Sequence, residues 1–243
     1  LTTIVVVVLL AVVGGAAWFF LTDNAEITET AQEGAEELTA ETASDVVFRI
    51  DPEQSTAEFR IDEVLRGEDV TVVGTTNQIA GDIRVNRDDP AASDIGEIRI
   101  NARSIETDAS NRNRALRQVI LRSSEDEFEF ITFEPTALQN MPEAVTVGEA
   151  FEFQIVGNLT IIETTMEVTF NATVTPTSEA EITGTAETTL LYPEWNLTIP
   201  EVPIVASVED EVFLTLNFVA TEVGEEAAEE EIADPEAIEE ATG

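Results

Sequence analysis

Between residues 46 and 222, apolar side chains return at every second position in run after run, and that period of two restricts the chain to β-structure. The runs are Phe48 and Ile50; Ala57, Phe59 and Ile61; Ile79, Gly81, Ile83 and Val85; and Ile98, Ile100 and Ala102. The pattern returns in Phe151, Phe153 and Ile155, in Met166, Val168 and Phe170, from Ile182 to Leu190, and in Val212, Leu214, Leu216 and Phe218. Successive side chains of a strand point to opposite faces, so each run carries one apolar and one polar face. Gly, Pro, Asn and Asp separate the runs, which predicts about eight or more strands. A parallel sheet sandwiched between helices would show continuous apolar runs instead. One-sided strands call for an antiparallel barrel or sandwich, an all-β fold.

One stretch has a different period. Residues 110–123 (SNRNRALRQVILRS) place Leu116, Val119 and Ile120 at helical spacing, with Ser110 or Asn111 as the expected cap. The same short helix holds Arg112, Arg114, Arg117 and Arg122, four of the eleven arginines in the chain. Two readings stand side by side. The arginines pair with neighbours such as Glu125, Asp126 and Glu127, or they receive an anionic headgroup or partner at a barrel mouth.

The flanks have other compositions. Residues 1–21 (LTTIVVVVLLAVVGGAAWFFL) carry no charge and, as a helix, would span roughly 30 Å, the thickness of a bilayer core. A cleavable signal peptide has a shorter apolar region and a small-residue cleavage site, whereas this run ends in Trp18, Phe19 and Phe20. The run is therefore expected to be a single transmembrane anchor. Residues 22–45 contain eight acids, no base and few large apolar side chains, the composition of a flexible stalk. Residues 223–243 hold nine acids and no base and are expected to be a disordered tail. The β-domain spans residues 46–222.

Charge and missing residue types narrow the chemistry. The net charge of −39 repels nucleic acid, so no nucleic-acid partner is expected. An acid-rich surface whose only cations are Arg also suits high salt. With no Cys, His or Lys, the chain has no thiol or imidazole nucleophile, no thiolate or imidazole metal site and no Schiff-base lysine. Carboxylates, hydroxyls and Arg remain. No acidic loop has the spacing of a calcium-binding hand, and a pair such as Asp62 and Glu63 is unremarkable among 50 acids. No catalytic residue and no metal site is assigned, and no enzyme is expected.

Read in order, the segments resemble the YceI-like family. Phe48-Arg49-Ile50-Asp51-Pro52 with Ser55, Ala57, Phe59 and Glu63 is similar to its first two strands. Val73-Gly74-Thr75-Thr76 and Ile79-Ala80-Gly81-Asp82-Ile83 are similar to its "VGTT...I.G.I" stretch. Ser104 to Asp108 followed by Arg112 and Asn113 is similar to the segment leading into its helix. Phe128 to Thr136, Val156 to Ile161 and Pro203 to Val212 resemble later strands and the final loop. There are departures: the family's "RD" is Arg112-Asn113 here, its "GvtrPv" turn is Glu163 to Val168, and its "DFG" turn is Glu194-Trp195-Asn196.

The resemblance implies an antiparallel lipocalin-like barrel that binds an isoprenoid chain of polyprenol, polyprenyl phosphate or quinone type, on the extracytoplasmic (periplasmic or extracellular) side of the cell membrane. A barrel of about eight strands either fills with side chains or holds one small ligand. An apolar occupant burying a few hundred Å² would gain many kcal/mol at about 25 cal/mol per Å², before binding costs. Phe59, Ile83, Ile100, Phe133 and Phe153 are the candidate wall, Arg112, Asn113 and Arg114 the candidates at the headgroup, and Trp195 a mouth lid or a packed corner. No cofactor other than such a lipid is expected. The alternative is a filled barrel acting as a membrane-anchored interaction module, with a second copy of the chain or a membrane complex as partner.

Overall fold

A computed structural model describes residues 26–224. The expected anchor (1–21) and most of the expected tail (225–243) lie outside the described residues. Among the described residues no helix is long and apolar enough to cross a membrane.

The described residues form one antiparallel sheet of twelve strands. In order these are β1 (Asp45–Ile50), β2 (Thr56–Leu65), β3 (Glu68–Thr76), β4 (Ile79–Ala80), β5 (Asp82–Asn86) and β6 (Asp94–Ile95). There follow β7 (Ile98–Asn101), β8 (Phe130–Gln139), β9 (Phe151–Ile161), β10 (Thr164–Pro176), β11 (Glu181–Leu191) and β12 (Val205–Glu222). Strands β7 to β12 pair each with the next, up and down. The 18-residue β12 then pairs along its other edge with β2 and, near its end, with β1.

Two short pieces curl the sheet round into a lipocalin-like barrel. β4 pairs with β7 while β5, one residue later, pairs with β1, so the strand broken at Gly81 joins the two ends of the wall. Ile50 donates its N–H to the Gly81 carbonyl at 3.0 Å across this seam. A second link joins β3 to the segment after β7, where Thr75 and Glu106 exchange two backbone hydrogen bonds of 2.9 and 3.0 Å. Closure at the seam removes the free edges that β5 and β7 would otherwise expose, while β3, paired with β2, keeps most of its other edge.

The one helix is shorter than the sequence predicts. α1 (Ser110–Ala115) passes into a π-helical turn, Leu116–Ile120, where Leu121 donates to the Leu116 carbonyl. Neither Ser110 nor Asn111 caps it, because Ala109 holds the cap position. Instead, Thr107 accepts from the Ala109 N–H, while Asn113 accepts from the Thr107 N–H at 2.8 Å and from its hydroxyl at 2.6 Å. The side chains thus fold the lead-in loop back on the first turn.

The acidic segment expected to be a solvated stalk behaves differently from residue 26 onward. It lies along the barrel wall as a strap. Thr28 binds Glu129, Gln32 donates to the Ile50 carbonyl, and the Leu38 N–H donates to Asp82 at 3.0 Å. Glu29 pairs with Arg99, Glu37 with Arg49 and Glu41 with Arg84. Ala31 is buried. The strap carries too little apolar surface to fold by burial, but the barrel's own carboxylates and arginines supply partners for its backbone and its acids.

That arrangement crowds carboxylates. Glu97 sits above its ordinary pKa near 4.5, first because burial disfavours the charged form and then because Glu134 and Glu36 of the strap repel it, with Arg99 acting in the opposite sense. A carboxyl whose folded-state pKa is raised weakens the fold once pH exceeds that pKa, and the penalty disappears below the unfolded value. Glu97→Gln is therefore expected to raise the thermal midpoint at pH 7, with the gain fading as pH falls to about 4.5. An unchanged or lowered midpoint at pH 7 would sink this expectation.

Candidate functional site

A cavity of about 890 Å³ runs through the barrel. Its lining extends from Leu65, Arg112, Val202 and Ile204 at the helix end to Asn86, Arg87, Val147 and Glu179 at the other. The interior is the expected cavity and not the alternative, a solid core of apolar side chains, and the register of the strands shows why. In one row of paired residues Phe153 on β9 pairs with Ala172 on β10, Ala172 with Ala186 on β11, Ala186 with Leu216 on β12, Leu216 with Ala57 on β2, and Ala57 with Thr76 on β3. All six face the cavity. Three of them are Ala, too short to meet across the middle.

Aromatic rings that could have crossed the cavity lie flat on its wall. A Cβ added at Gly74 would stand 2.2 Å from the Phe59 ring, one at Gly157 2.6 Å from the Phe133 ring, and one at Gly184 2.7 Å from the Phe218 ring. Each ring thus occupies the space of a missing side chain on a neighbouring strand. Phe133 also meets Phe170 edge to face at 4.9 Å, which holds it sideways.

The charged groups in the lining are few, and the cations among them are paired. At the helix end Arg112 donates to Glu63 at 3.1 Å and to Asp108. Glu63 is 9% exposed and Asp108 84%. Truncating one partner of such a buried pair leaves the other charge stranded, at a cost of about 3–5 kcal/mol. At the opposite end Arg87 donates to the Glu179 carbonyl at 2.7 Å and faces the carboxylates of Glu179 at 3.6 Å and Glu222 at 3.9 Å. Tyr192 also lines the cavity, and its phenol titrates above its ordinary value because of burial and then the charge of Asp210. Among the described residues no group of three or more carboxylates is placed to hold a metal ion.

Of the residues singled out from sequence, Phe59, Ile83, Ile100, Phe133 and Phe153 line the cavity, and Arg112 stands at its helix end. Asn113 and Arg114 do not reach it. Asn113 is spent on Thr107, and the Arg114 Nε is buried without a hydrogen-bond partner among the described residues. Trp195 is a packed corner, buried, with its indole N–H donating to the Leu159 carbonyl at 3.3 Å. Of the acids expected to pair with the arginines, Glu125 meets Arg122 at 2.9 Å, but Asp126 meets Arg103 instead. Arg112 pairs with Glu63, 49 residues away. Sequence reasoning missed Glu63 as a partner, and it missed the small residues Ala57, Ala172 and Ala186 that leave the cavity empty. No sequence signal marks these Ala residues, since only the pairing of β10, β11, β12 and β2 brings them into one row.

Comparison with known proteins gives one family and several solved structures of the same fold. The model of the YceI-like domain matches residues 48–220. No curated protein sequence matches the chain significantly. BcnA from Burkholderia cenocepacia superposes with a TM-score of 0.56 at 18% identity, covering 71% of this chain and 99% of that one. A polyisoprenoid binding domain from Saccharophagus degradans, implicated in plant cell wall breakdown, gives 0.55 at 11% identity over 73% and 99%. A YCEI protein from Campylobacter jejuni gives 0.50 at 13% identity over 63% and 85%. At these identities the likeness is one of fold.

Proposed function

The chain belongs to the YceI-like domain family, and from that premise we propose that it is a lipid-binding protein holding an isoprenoid chain inside the barrel. The observation that carries the reading is the cavity of about 890 Å³, walled by Ile, Val, Leu and Phe with the short side chains of Ala57, Ala172 and Ala186 among them. Small-ligand sites occupy roughly 300–1,000 Å³, so this one is at the generous end. At about 30 Å³ per carbon-sized atom it has room for about thirty carbons, or about six isoprene units. The fold shared with the polyisoprenoid binding domain of Saccharophagus degradans supports the class of ligand.

The protein acts by sequestration, and no bond is made or broken. Residues 1–21 anchor it as a single pass in the cell membrane, with the barrel on the extracytoplasmic side, beside the source of its lipid. Mass spectrometry of organic-solvent extracts of the purified full chain tests the reading, against an unrelated β-protein purified in the same way. A stoichiometric isoprenoid is expected. Absence of bound lipid, together with failure to take up added prenol or quinone, would refute it.

A further inference from the structure

We propose that the cavity selects isoprenoids whose head is uncharged, a hydroxyl or a quinone ring, over the corresponding phosphates. This deepens the reading above and rests on it. The lining contains two cations, Arg87 and Arg112, against three carboxylates, Glu58, Glu63 and Glu179. Both cations are already committed. Arg112 lies between Glu63 and Asp108, and Arg87 lies between Glu179 and Glu222, so each end of the cavity carries a local net charge of about −1. A phosphate at the helix end would have to take Arg112 from Glu63, leaving that carboxylate buried and unpaired, or share Arg112 with two carboxylates already on it. Arg66 is exposed on the β2–β3 turn beside Glu68 and Asp69 and does not line the cavity. The overall charge of −39 opposes the approach of an anion from outside.

An uncharged head meets none of these penalties. Tyr192 in the lining offers a phenol that stays protonated, since burial and the neighbouring Asp210 both disfavour its anion. Such a group can donate to a quinone carbonyl, or exchange a hydrogen bond with a prenol hydroxyl, without any change in charge.

The test is equilibrium partition of radiolabelled probes between the full chain and phosphatidylcholine vesicles. The probes are hexaprenol, a benzoquinone bearing the same chain, and hexaprenyl phosphate. Retention of the prenol or the quinone at least about tenfold more tightly than the phosphate is expected, and the stronger of the two identifies the head. Glu63→Gln is expected to narrow that ratio by releasing Arg112. Asp108→Asn, on an exposed side chain whose loss leaves the fold intact, is expected to narrow it in the same direction. Phosphate retained as tightly as the uncharged probes would overturn the inference and leave the isoprenoid reading standing, as would a ratio that neither variant moves. Retention of none of the three would sink the isoprenoid reading itself, and the inference with it.

Discussion

Replacing Glu129 with Ala is expected to cost the fold about 3–5 kcal/mol, a large share of what holds a domain of this size together. The carboxylate is buried against Arg103 at 2.9 Å, and the side chains of both are 2% exposed. It also accepts from the Asn101 amide at 2.8 Å, the Thr28 N–H at 3.1 Å and the Thr28 hydroxyl. Truncation leaves the guanidinium in the interior with Asp126, which is 85% exposed, as its remaining carboxylate. Glu129→Gln keeps the shape and loses the charge, so a smaller loss is expected. Urea titration reads both, as a lowered midpoint at constant slope. The same substitution removes two hydrogen bonds of Thr28 and leaves its hydroxyl with Arg103 at 3.2 Å, so faster amide exchange is expected in residues 28–38 before the barrel itself opens. A change below about 1 kcal/mol would show that Glu129 is not what balances Arg103.

Ala186→Phe is expected to abolish isoprenoid binding while preserving the fold. Ala186 is the middle residue of β11, between Ala172 and Leu216, and lines the cavity. A Phe there brings about 150 Å² of apolar surface into the space the ligand would use. Contact of that area is worth about 4 kcal/mol, so affinity should fall by two to three orders of magnitude. Because the ring enters a void, stability should hold or rise, in contrast to overpacking of a filled core. Lipid extraction and a denaturation curve on the same preparation separate the two effects. Lipid still bound at wild-type stoichiometry would mean that the occupant does not pass through the middle of the barrel.

Much of the wall was legible because one-sided burial writes itself into sequence. β9 and β10 alternate along nearly their whole length, whereas β12 settles into that pattern from Val212 onward, past the slips in its pairing with β2. β8 was harder to see because its pairing slips between Pro135 and Ala137, so Ile131 and Phe133 before the slip and Leu138 after it fall out of phase. The helix was read too long because Leu116 to Ile120 keep an apolar spacing although the backbone widens there to a π turn. Within the site, Phe59 and Phe153 could be named from the strand pattern alone. The pairing of Arg112 with Glu63 could not, since it depends on how β2 passes beneath the helix. Nor could the emptiness of the barrel. Ala57, Ala172 and Ala186 are ordinary inward residues one by one, and only pairing across β10, β11, β12 and β2 puts them in one row. The strap escaped notice for a different reason: its fixings are backbone N–H groups and carboxylates, to which a reading based on apolar burial is blind.

The strap also resets the leash on which an anchored barrel would swing. Twenty-four free residues could pay out about 80 Å of chain, enough for the domain to tumble and search well away from a bilayer. The hold of Arg103 on the Glu26 carbonyl leaves four residues between Leu21 and that first fixing point, about 14 Å at full stretch. The leash leaves the barrel where the Glu26 carbonyl meets Arg103, next to Ser123 and hence beside the helix end of the cavity. With residues 1–21 in a membrane, that mouth would hang within one leaflet's depth of the lipid. Loading would then be a matter of rotation in place, faster for being short of travel, and cutting the strap free would slow it without touching the cavity.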